Sequence, residues 1–166
     1  MILKLPWQKE KLVYPIVRVD DRLLHGQVIV GWGQTLDLSP LVLASDRVAR
    51  DDAAKRLYNS LIPAELRGEI LTLTETAERW SRGDFDGQKA MIVVEAPVDA
   101  LKLFRLGAPL KVLTIGGLHF REEREEILPY VFLSEWDRTT LGELRNEGVK
   151  VRCQDLPTAQ PVAYED

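Results

Sequence analysis

The sequence predicts an α/β protein with an open, mostly parallel, doubly wound sheet and helices on both faces. Short apolar segments of strand length alternate with longer amphipathic segments along the chain, which is the β-α-β order of a parallel sheet. The apolar segments are also compact, with few polar residues, as expected of strands that helices cover on both sides. Together these two observations favour a doubly wound sheet.

Seven segments are predicted as strands because they are short, apolar and rich in β-branched residues. They are residues 13–19, 41–44, 69–73, 90–95, 112–115, 131–133 and 149–153. Glycine, proline and threonine mark several of the helices between them: Thr74 is a cap-type residue before acidic neighbours, Pro97 suits a first turn, and Gly83 and Gly107 follow helix ends. Helices are predicted to begin near Gln27, Val48, Thr74, Val98, Arg121 and Glu135.

Two charge patterns bear on these elements and on possible partners. The run at residues 121–126 alternates arginine and glutamate at helical spacing, so we expect it to form a solvated helix face. The chain as a whole has 22 basic and 26 acidic residues and a net charge of −4. This balance argues against nucleic acid as a partner, because binding to the phosphate backbone draws on a basic excess.

Length and composition predict one domain at residues 12–166, preceded by an N-terminal extension at residues 1–11. A 45% hydrophobic share in 166 residues is enough for a sizeable core. Residues 157–166 are expected to form a loosely held tail. No segment approaches the roughly 20 apolar residues of a membrane helix, so direct membrane insertion is not expected. The single cysteine, Cys153, excludes an internal disulfide and is predicted to pack within a strand.

The strongest functional signal lies where the first predicted strand ends. Within residues 18–28 the chain holds one histidine, two arginines, two aspartates and a glycine. Ligands of open parallel sheets bind at the carboxyl ends of strands, where the N–H groups of the next helix face an anion. His25, on this loop, is therefore the leading candidate for chemistry.

Several motifs resemble the IIB subunits of the mannose–fructose–sorbose family of the bacterial sugar phosphotransferase system. The central one is the run Asp-Asp-Arg-Leu-Leu-His-Gly-Gln-Val from Asp20, with Trp32 seven positions after the histidine. Similar segments include Ser45-Asp46-Arg47-Val48-Ala49, Ile115-Gly116-Gly117-Leu118-His119-Phe120 and Gly148-Val149-Lys150-Val151. The resemblance extends over roughly residues 13–162 and implies an open α/β fold.

The resemblance implies a phosphoryl carrier in which His25 takes a phosphoryl group from a phosphohistidine of a IIA domain. The group then passes to a sugar that the membrane subunits IIC and IID bind. This implies a cytoplasmic protein, peripheral to the inner membrane when it is bound to those subunits, that needs no cofactor. The sequence leaves the sugar and a possible homo-oligomer open.

The residue chemistry agrees with that role. A neutral imidazole offers a ring nitrogen lone pair to phosphorus, so His25 is the predicted nucleophile. The guanidinium of Arg22 can bind the phosphoryl oxygens as a planar fork, while Gly26 and Gln27 offer backbone N–H groups. Arg18 is assigned to the phosphate as well, with a structural ion pair as the alternative.

The aspartates need a different explanation, because a carboxylate repels an incoming phosphoryl dianion. One of Asp20 and Asp21 is expected to hold the non-reacting ring nitrogen of His25 or to orient Arg22, and we favour Asp20. Leu23 and Leu24 are expected to be exposed and to contact the IIA domain.

Other residues keep two interpretations. Trp32 either packs in the core or lies at the rim of a partner-binding face, and Ser45 and Asp46 either cap a helix or face His25. His119 is the second histidine and the rival acceptor. Metal binding and nucleotide binding are not expected, because two histidines and one cysteine lie far apart and the glycine spacing is not that of a nucleotide loop.

Two other function classes remain open at this point. The first is a regulatory phosphocarrier of an incomplete relay, whose phosphorylation state is read by a protein partner. The second is a small-molecule-binding domain without covalent chemistry, which requires that His25 cannot be phosphorylated.

Overall fold

The computed structural model describes residues 12–166, so the predicted extension at residues 1–11 lies outside the described residues. A seven-stranded sheet forms the centre, parallel throughout except for one edge strand, β9, and a separate hairpin holds two further strands. The strands are β1 (Ile16–Asp20), β2 (Leu41–Ala44), β3 (Glu69–Leu71), β4 (Met91–Val94), β5 (Val112–Gly117), β6 (Glu125–Leu128), β7 (Val131–Leu133), β8 (Lys150–Cys153) and β9 (Val162–Ala163). The order across the sheet is β3-β2-β4-β1-β5-β8-β9, which confirms the predicted open α/β fold.

Helices connect these strands within the described residues. They are a π-helix (Gln27–Gln34), α1 (Asp46–Ala49), α2 (Asp52–Leu61), a short 3-10 helix (Ala64–Leu66), α3 (Leu73–Ser81), α4 (Pro97–Arg105) and α5 (Glu135–Asn146). Capping side chains fix two of the starts: Thr72 with Glu75 begins α3, and Ser134 with Asp137 begins α5. The predicted cap at Thr74 is therefore two residues late.

Apolar clusters cover both faces of the sheet. One cluster joins the sheet to α3, α4 and α5, and the other joins it to the π-helix and α1. Strand β1 contributes to both, because successive side chains point to opposite faces: Val17 and Val19 belong to the first cluster and Ile16 to the second. The doubly wound arrangement is thus confirmed.

The prediction of a helix that begins near Arg121 is wrong. Residues 121–124 form a turn, closed by a bond from the Arg124 N–H to the Arg121 carbonyl at 2.9 Å, and β6 follows. Alternating charges satisfy helical spacing, but the antiparallel pairing of β6 with β7 decides the conformation here. Arg124 is only 9% exposed rather than solvated.

The C-terminal residues are held rather than loose. Strand β9 pairs with β8 in antiparallel register, and the side chain of Tyr164 is buried in the core. The amide of Gln154 donates to the carbonyl of Ala159 at 3.0 Å. Cys153 is buried in β8 as predicted.

Tight packing explains the glycines that flank Trp32 in the π-helix. A Cβ at Gly31 would lie 2.9 Å from a methyl of Leu156, and one at Gly33 would lie 2.8 Å from a methyl of Leu66. Trp32 itself is fully buried, so the core interpretation is confirmed. Among residues 12–166, no helix is long and apolar enough to cross a membrane.

Candidate functional site

The candidate site lies where β1 and β5 end side by side. After β1 the chain continues to β2, toward one edge of the sheet, and after β5 it continues to β8, toward the opposite edge. Such a switch point opens a crevice at the carboxyl ends of the strands. A backbone bond from the Asp21 N–H to the Gly117 carbonyl, at 2.9 Å, ties the two loops together at this point.

Asp20 is the centre of the site. Its carboxylate is fully buried; Oδ2 lies 3.0 Å from Nε2 of His25 and 3.2 Å from Nη2 of Arg18, while Oδ1 accepts the backbone N–H of Arg22 at 3.1 Å. Burial alone would raise the pKa of Asp20, but the bonds from His25 and Arg22 and the charge of Arg18 together lower it. The carboxylate is therefore ionised at neutral pH.

The ionised carboxylate sets the tautomer of His25. A carboxylate only accepts hydrogen bonds, so Nε2 of His25 must carry the proton that it donates to Asp20. Nδ1 is then the nitrogen with the lone pair, and no hydrogen bond within residues 12–166 engages it. The imidazole side chain is 19% exposed.

Arg18 is placed differently from the sequence expectation. Its guanidinium is fully buried, donates to the Gln154 carbonyl at 2.9 Å and lies 5.2 Å from the ring centre of Trp32. Its ion-pair partner is Asp20. The structure thus shows Arg18 in the structural ion pair that was the alternative interpretation, buried beneath the surface that carries Arg22.

Two glycines of β5 make room for this ion pair. A Cβ at Gly116 would lie 1.9 Å from Cζ of Arg18, and one at Gly117 would lie 3.2 Å from Oδ2 of Asp20. Any larger side chain at position 116 would displace the guanidinium. Sequence analysis assigned these two glycines only to a family loop, because Arg18 and Asp20, for which they make room, lie far earlier in the chain.

The remaining predicted phosphate contacts lie together beside His25. Arg22 is half exposed, and its Nη2 donates to Oε1 of Gln27 at 3.1 Å. Gly26 precedes the π-helix in a helical conformation, with open space where a Cβ would be. The first N–H groups of a helix lack partners within the helix, so this end offers backbone donors to an anion.

Leu23 and Leu24 are not exposed, so the prediction that they contact a partner is wrong. They are 1% and 3% exposed and belong to the apolar cluster that contains Trp32. Leu23 has a positive φ of 58°, which turns the loop back on itself. The two leucines therefore anchor the loop in the core and leave Arg22 and His25 at the surface.

A comparison with models of protein families identifies the family of this chain. Residues 14–166 match the model of the PTS system sorbose subfamily IIB component. The chain belongs to this family. Its members are components of sugar phosphotransferase systems, so the family resemblance that the sequence predicted is confirmed.

Curated relatives carry several sugar names. The chain is 33% identical to the N-acetylgalactosamine-specific phosphotransferase enzyme IIB component 1 of Escherichia coli, across 91% of this chain and 96% of that one. It is 29% identical to the PTS system fructose-specific EIIB component of Bacillus subtilis, across 86% and 88%. The solved structure of the Escherichia coli N-acetylgalactosamine-specific component superimposes with a TM-score of 0.79 at 31% identity, covering 90% of this chain and 98% of that one.

This IIB chain holds a second histidine–aspartate pair beside the first. Nδ1 of His119 lies 2.5 Å from Oδ1 of Asp21, and the backbone N–H of His119 donates to Oδ2 at 2.9 Å. Arg124, inserted from the turn before β6, donates to the same Oδ2 at 3.0 Å and pairs with Asp137 at the start of α5. Burial would raise the pKa of Asp21, but the bonds from His119 and Arg124 lower it.

Sequence reasoning did not find Arg124. The residue lies in a charge run that suited a solvated helix, and no spacing rule connects it with Asp21, 103 positions earlier. Asp20 and Asp21 thus have separate partners, which the sequence had left undecided: Asp20 holds His25, and Asp21 holds His119.

The remaining candidates at this edge are structural. Ser45 caps α1 by accepting the N–H of Val48 at 3.2 Å, and Asp46 accepts the N–H of Leu73 at 2.9 Å. Capping is thus the correct interpretation of both. Within residues 12–166 no group of three or more histidine, cysteine, aspartate or glutamate side chains is arranged to hold a metal ion.

Proposed function

We propose that this IIB chain carries a phosphoryl group on Nδ1 of His25, accepting it from a phosphohistidine of a IIA domain. The group then passes to a sugar bound by the membrane subunits IIC and IID during uptake. The observation that carries the proposal is the bond between Nε2 of His25 and the buried, ionised Asp20. It leaves Nδ1 as the free nucleophile of the site.

The transfer step follows from this geometry. The Nδ1 lone pair attacks phosphorus, the new N–P bond forms, and the N–P bond to the donor histidine breaks, leaving its electron pair on the donor nitrogen. The proton on Nε2 stays between His25 and Asp20, where the carboxylate stabilises the positive charge that develops on the ring. No general base is required, because the attacking nitrogen carries no proton.

Charge compensation comes from the surface side of the site. The phosphoryl oxygens carry most of the charge of the transition state, and positioned cations and N–H groups stabilise it. Arg22 offers a guanidinium that is half exposed and already near His25 through the backbone turn. The backbone N–H groups of Gly26, just before the π-helix, and of Gln27, its first residue, supply further donors.

A IIA partner is supported by one relative. The chain is 24% identical to the PTS system mannose-specific EIIAB component of Escherichia coli across 89% of this chain, which is 46% of that protein. The name EIIAB joins an A and a B component, and this chain matches only one portion of that protein. A IIA domain supplied by a separate chain or a separate segment would then dock over the His25 loop.

The docking contact must be small, because the carrier has to release one partner before it meets the next. Since Leu23 and Leu24 are buried, the contact is made by the exposed groups around His25, with Arg22 foremost. Exchange with a IIA domain and then with IIC and IID places the protein on the cytoplasmic side, peripheral to the inner membrane when bound. No cofactor enters a transfer between two nitrogen atoms.

Phosphorylation with the upstream carriers and phosphoenolpyruvate tests the proposal. The wild type and His119→Ala should each take up one acid-labile, alkali-stable phosphate, and His25→Ala should take up none. Selective 15N labelling of the histidines should place the phosphorus on Nδ1 of His25. Phosphate retained by His25→Ala would show that the nucleophile is elsewhere.

Reconstitution tests the transport step. Membranes that carry the cognate IIC and IID subunits should remove the phosphoryl group from His25 and produce a sugar phosphate. If no hexose or amino sugar accelerates this loss, while a soluble protein binds the phosphorylated form and not His25→Ala, the chain is a regulatory phosphocarrier instead.

A further inference from the structure

His119, the second histidine, is held at the edge of the site by hydrogen bonds to both its ring and its backbone. Asp21 binds its ring at Nδ1 and its backbone N–H at 2.9 Å, while Arg124 donates to both Asp21 and the His119 carbonyl at 3.0 Å. The ring is nevertheless 45% exposed. The imidazole is thus held at Nδ1 while much of the rest of the ring is open to solvent.

The orientation leaves a single polar atom available. Asp21 is ionised and accepts from Nδ1, so Nδ1 carries a proton and Nε2 projects from the loop. The Arg124 guanidinium cannot serve instead, because it is 6% exposed and paired with Asp21 and Asp137. Nε2 of His119 is thus the outward-facing polar atom of this network.

The position of His119 relates it to His25. Strand β5, which precedes His119, lies directly beside β1, which precedes His25, and Asp21 joins the two loops through the Gly117 carbonyl. Adjacent aspartates therefore orient the two histidines at one edge of the sheet, Asp20 at Nε2 and Asp21 at Nδ1. An anion at Nδ1 of His25 would attract a proton to the neighbouring imidazole.

We propose that Nε2 of His119 is a second hydrogen-bond donor to the phosphoryl group carried by His25, and that Asp21 is its positioning residue. The inference rests on the proposed function, since it needs the phosphoryl group on His25. Protonated His119 then shares the charge of the phosphoryl oxygens with Arg22. The contact forms when the phosphoryl group arrives on His25 and is lost when it leaves.

The first test uses the wild-type chain with and without phosphate on His25, at one fixed pH near neutrality. The 15N resonances of the His119 ring should move toward those of the protonated form on phosphorylation. The charged groups in contact with His119 in the described structure are Asp21 and Arg124, with Asp137 behind Arg124, and they are the same in both samples. Unchanged ring resonances of His119 in a chain that is phosphorylated on His25 would overturn the inference.

The second test separates chemistry from docking. His119→Ala should lower the maximal rate of transfer from phosphorylated IIA on the order of 10-fold, as expected for one lost donor at an exposed position. His119→Gln should recover part of it, because its amide N–H lies near the place of Nε2. Phe120→Ala is the matched control, since this exposed neighbour lacks a donor, and it should leave the maximal rate unchanged.

Three outcomes would count against the inference. They are a wild-type maximal rate in His119→Ala, a rise in the Michaelis constant alone, and an equal loss in Phe120→Ala. The last two would assign the loop to docking. Failure of His25 to accept phosphate at all would instead refute the proposed function, so the two failures are distinguishable.

Discussion

Two histidine–aspartate pairs lie at one edge of the sheet and differ in depth. In the inner pair, the fully buried Asp20 binds Nε2 of His25 and is itself held by the buried Arg18. In the outer pair, Asp21 binds Nδ1 of His119, and the imidazole is 45% exposed. The two contacts between a carboxylate and an imidazole therefore differ in which ring nitrogen stays free. It is Nδ1 in His25 and Nε2 in His119.

The carboxylate, more than the histidine, defines each arrangement. Asp20 lies against Gly117 and is fully buried, and it holds His25 through Nε2, so the imidazole is only 19% exposed. Asp21 turns toward Arg124 and Asp137 and joins the loop to α5. Replacing one carboxylate at a time is the direct way to separate the two arrangements.

Asp20→Asn should have the largest effect. It leaves the buried charge of Arg18 without its counter-charge, which costs about 3–5 kcal/mol of unfolding free energy. Its amide can also donate to Nε2 of His25, which moves the ring proton to Nδ1, so transfer should fall on the order of 10²-fold or more. Urea unfolding measures the loss of stability, and the rate of phosphoryl transfer from phosphorylated IIA measures the loss of activity.

Asp21→Asn is the matched control for that substitution. Arg124 keeps Asp137 as a partner, so the loss of unfolding free energy should be smaller, about 1–3 kcal/mol. The tautomer of His25 is untouched, and transfer should fall less than with Asp20→Asn. Equal losses in the two variants would show that the pairs are not separate arrangements.

Arg22→Ala should have the next largest effect, and only on transfer. The loss of one electrostatic partner of the transition state costs on the order of 10²-fold in rate, while the half-exposed side chain contributes little to folding. Arg22→Lys should recover part of the rate, because an ammonium keeps the charge but not the planar fork. The melting temperature should be nearly unchanged in both variants.

Arg124→Ala should affect stability rather than phosphoryl transfer, the opposite of Arg22→Ala. Its guanidinium is buried against Asp21 and Asp137, so its removal should lower the melting temperature and leave His25 able to accept phosphate. If Arg22→Ala lost stability in proportion to activity, Arg22 would be a structural ion-pair residue and would not compensate charge in the transition state.

The smallest effect expected is on acid stability. The pKa values of Asp20 and Asp21 are both lowered in the folded chain, so each carboxylate stabilises the fold above the unfolded pKa of about 4. That contribution is lost as the pH falls through the lower, folded pKa. The unfolding free energy of the wild type should therefore fall more steeply below about pH 4 than that of Asp20→Asn or Asp21→Asn.

Urea midpoints measured between neutral pH and about pH 2 give the slopes for each variant. Asp84 also has a lowered pKa, about 2, but it is common to all the variants and cancels in the difference. Parallel curves for the wild type and both variants would mean that neither carboxylate changes its pKa on folding.

The sequence predicted the sheet well because its signals are local. Six of the strands carry apolar runs that need no knowledge of their partners, and the position of His25 follows from the end of the first run. Strand β7 of the hairpin was also predicted, but its partner β6 was missed for the opposite reason. Residues 121–126 have no apolar run at their start, and only pairing with β7 makes a strand of Glu125–Leu128.

The site was predicted in part for the same reason. His25, Arg22 and Asp20 lie within six consecutive residues, so their proximity required no tertiary information. The burial of Arg18 depends on space left by Gly116 and on the Gln154 carbonyl, which come from distant parts of the chain. A positive φ at Leu23 turned two leucines inward, and no sequence pattern announces such a turn.

Both edges of the sheet are formed by very short strands. Strand β3 has three residues and β9 has two, so neither edge offers a long row of unpaired backbone groups. Edges of this kind discourage the addition of a strand from another molecule, and with it self-association into fibres. In the proposed carrier role the chain meets and leaves several partners in turn, and these short edges keep two copies from pairing through their backbones.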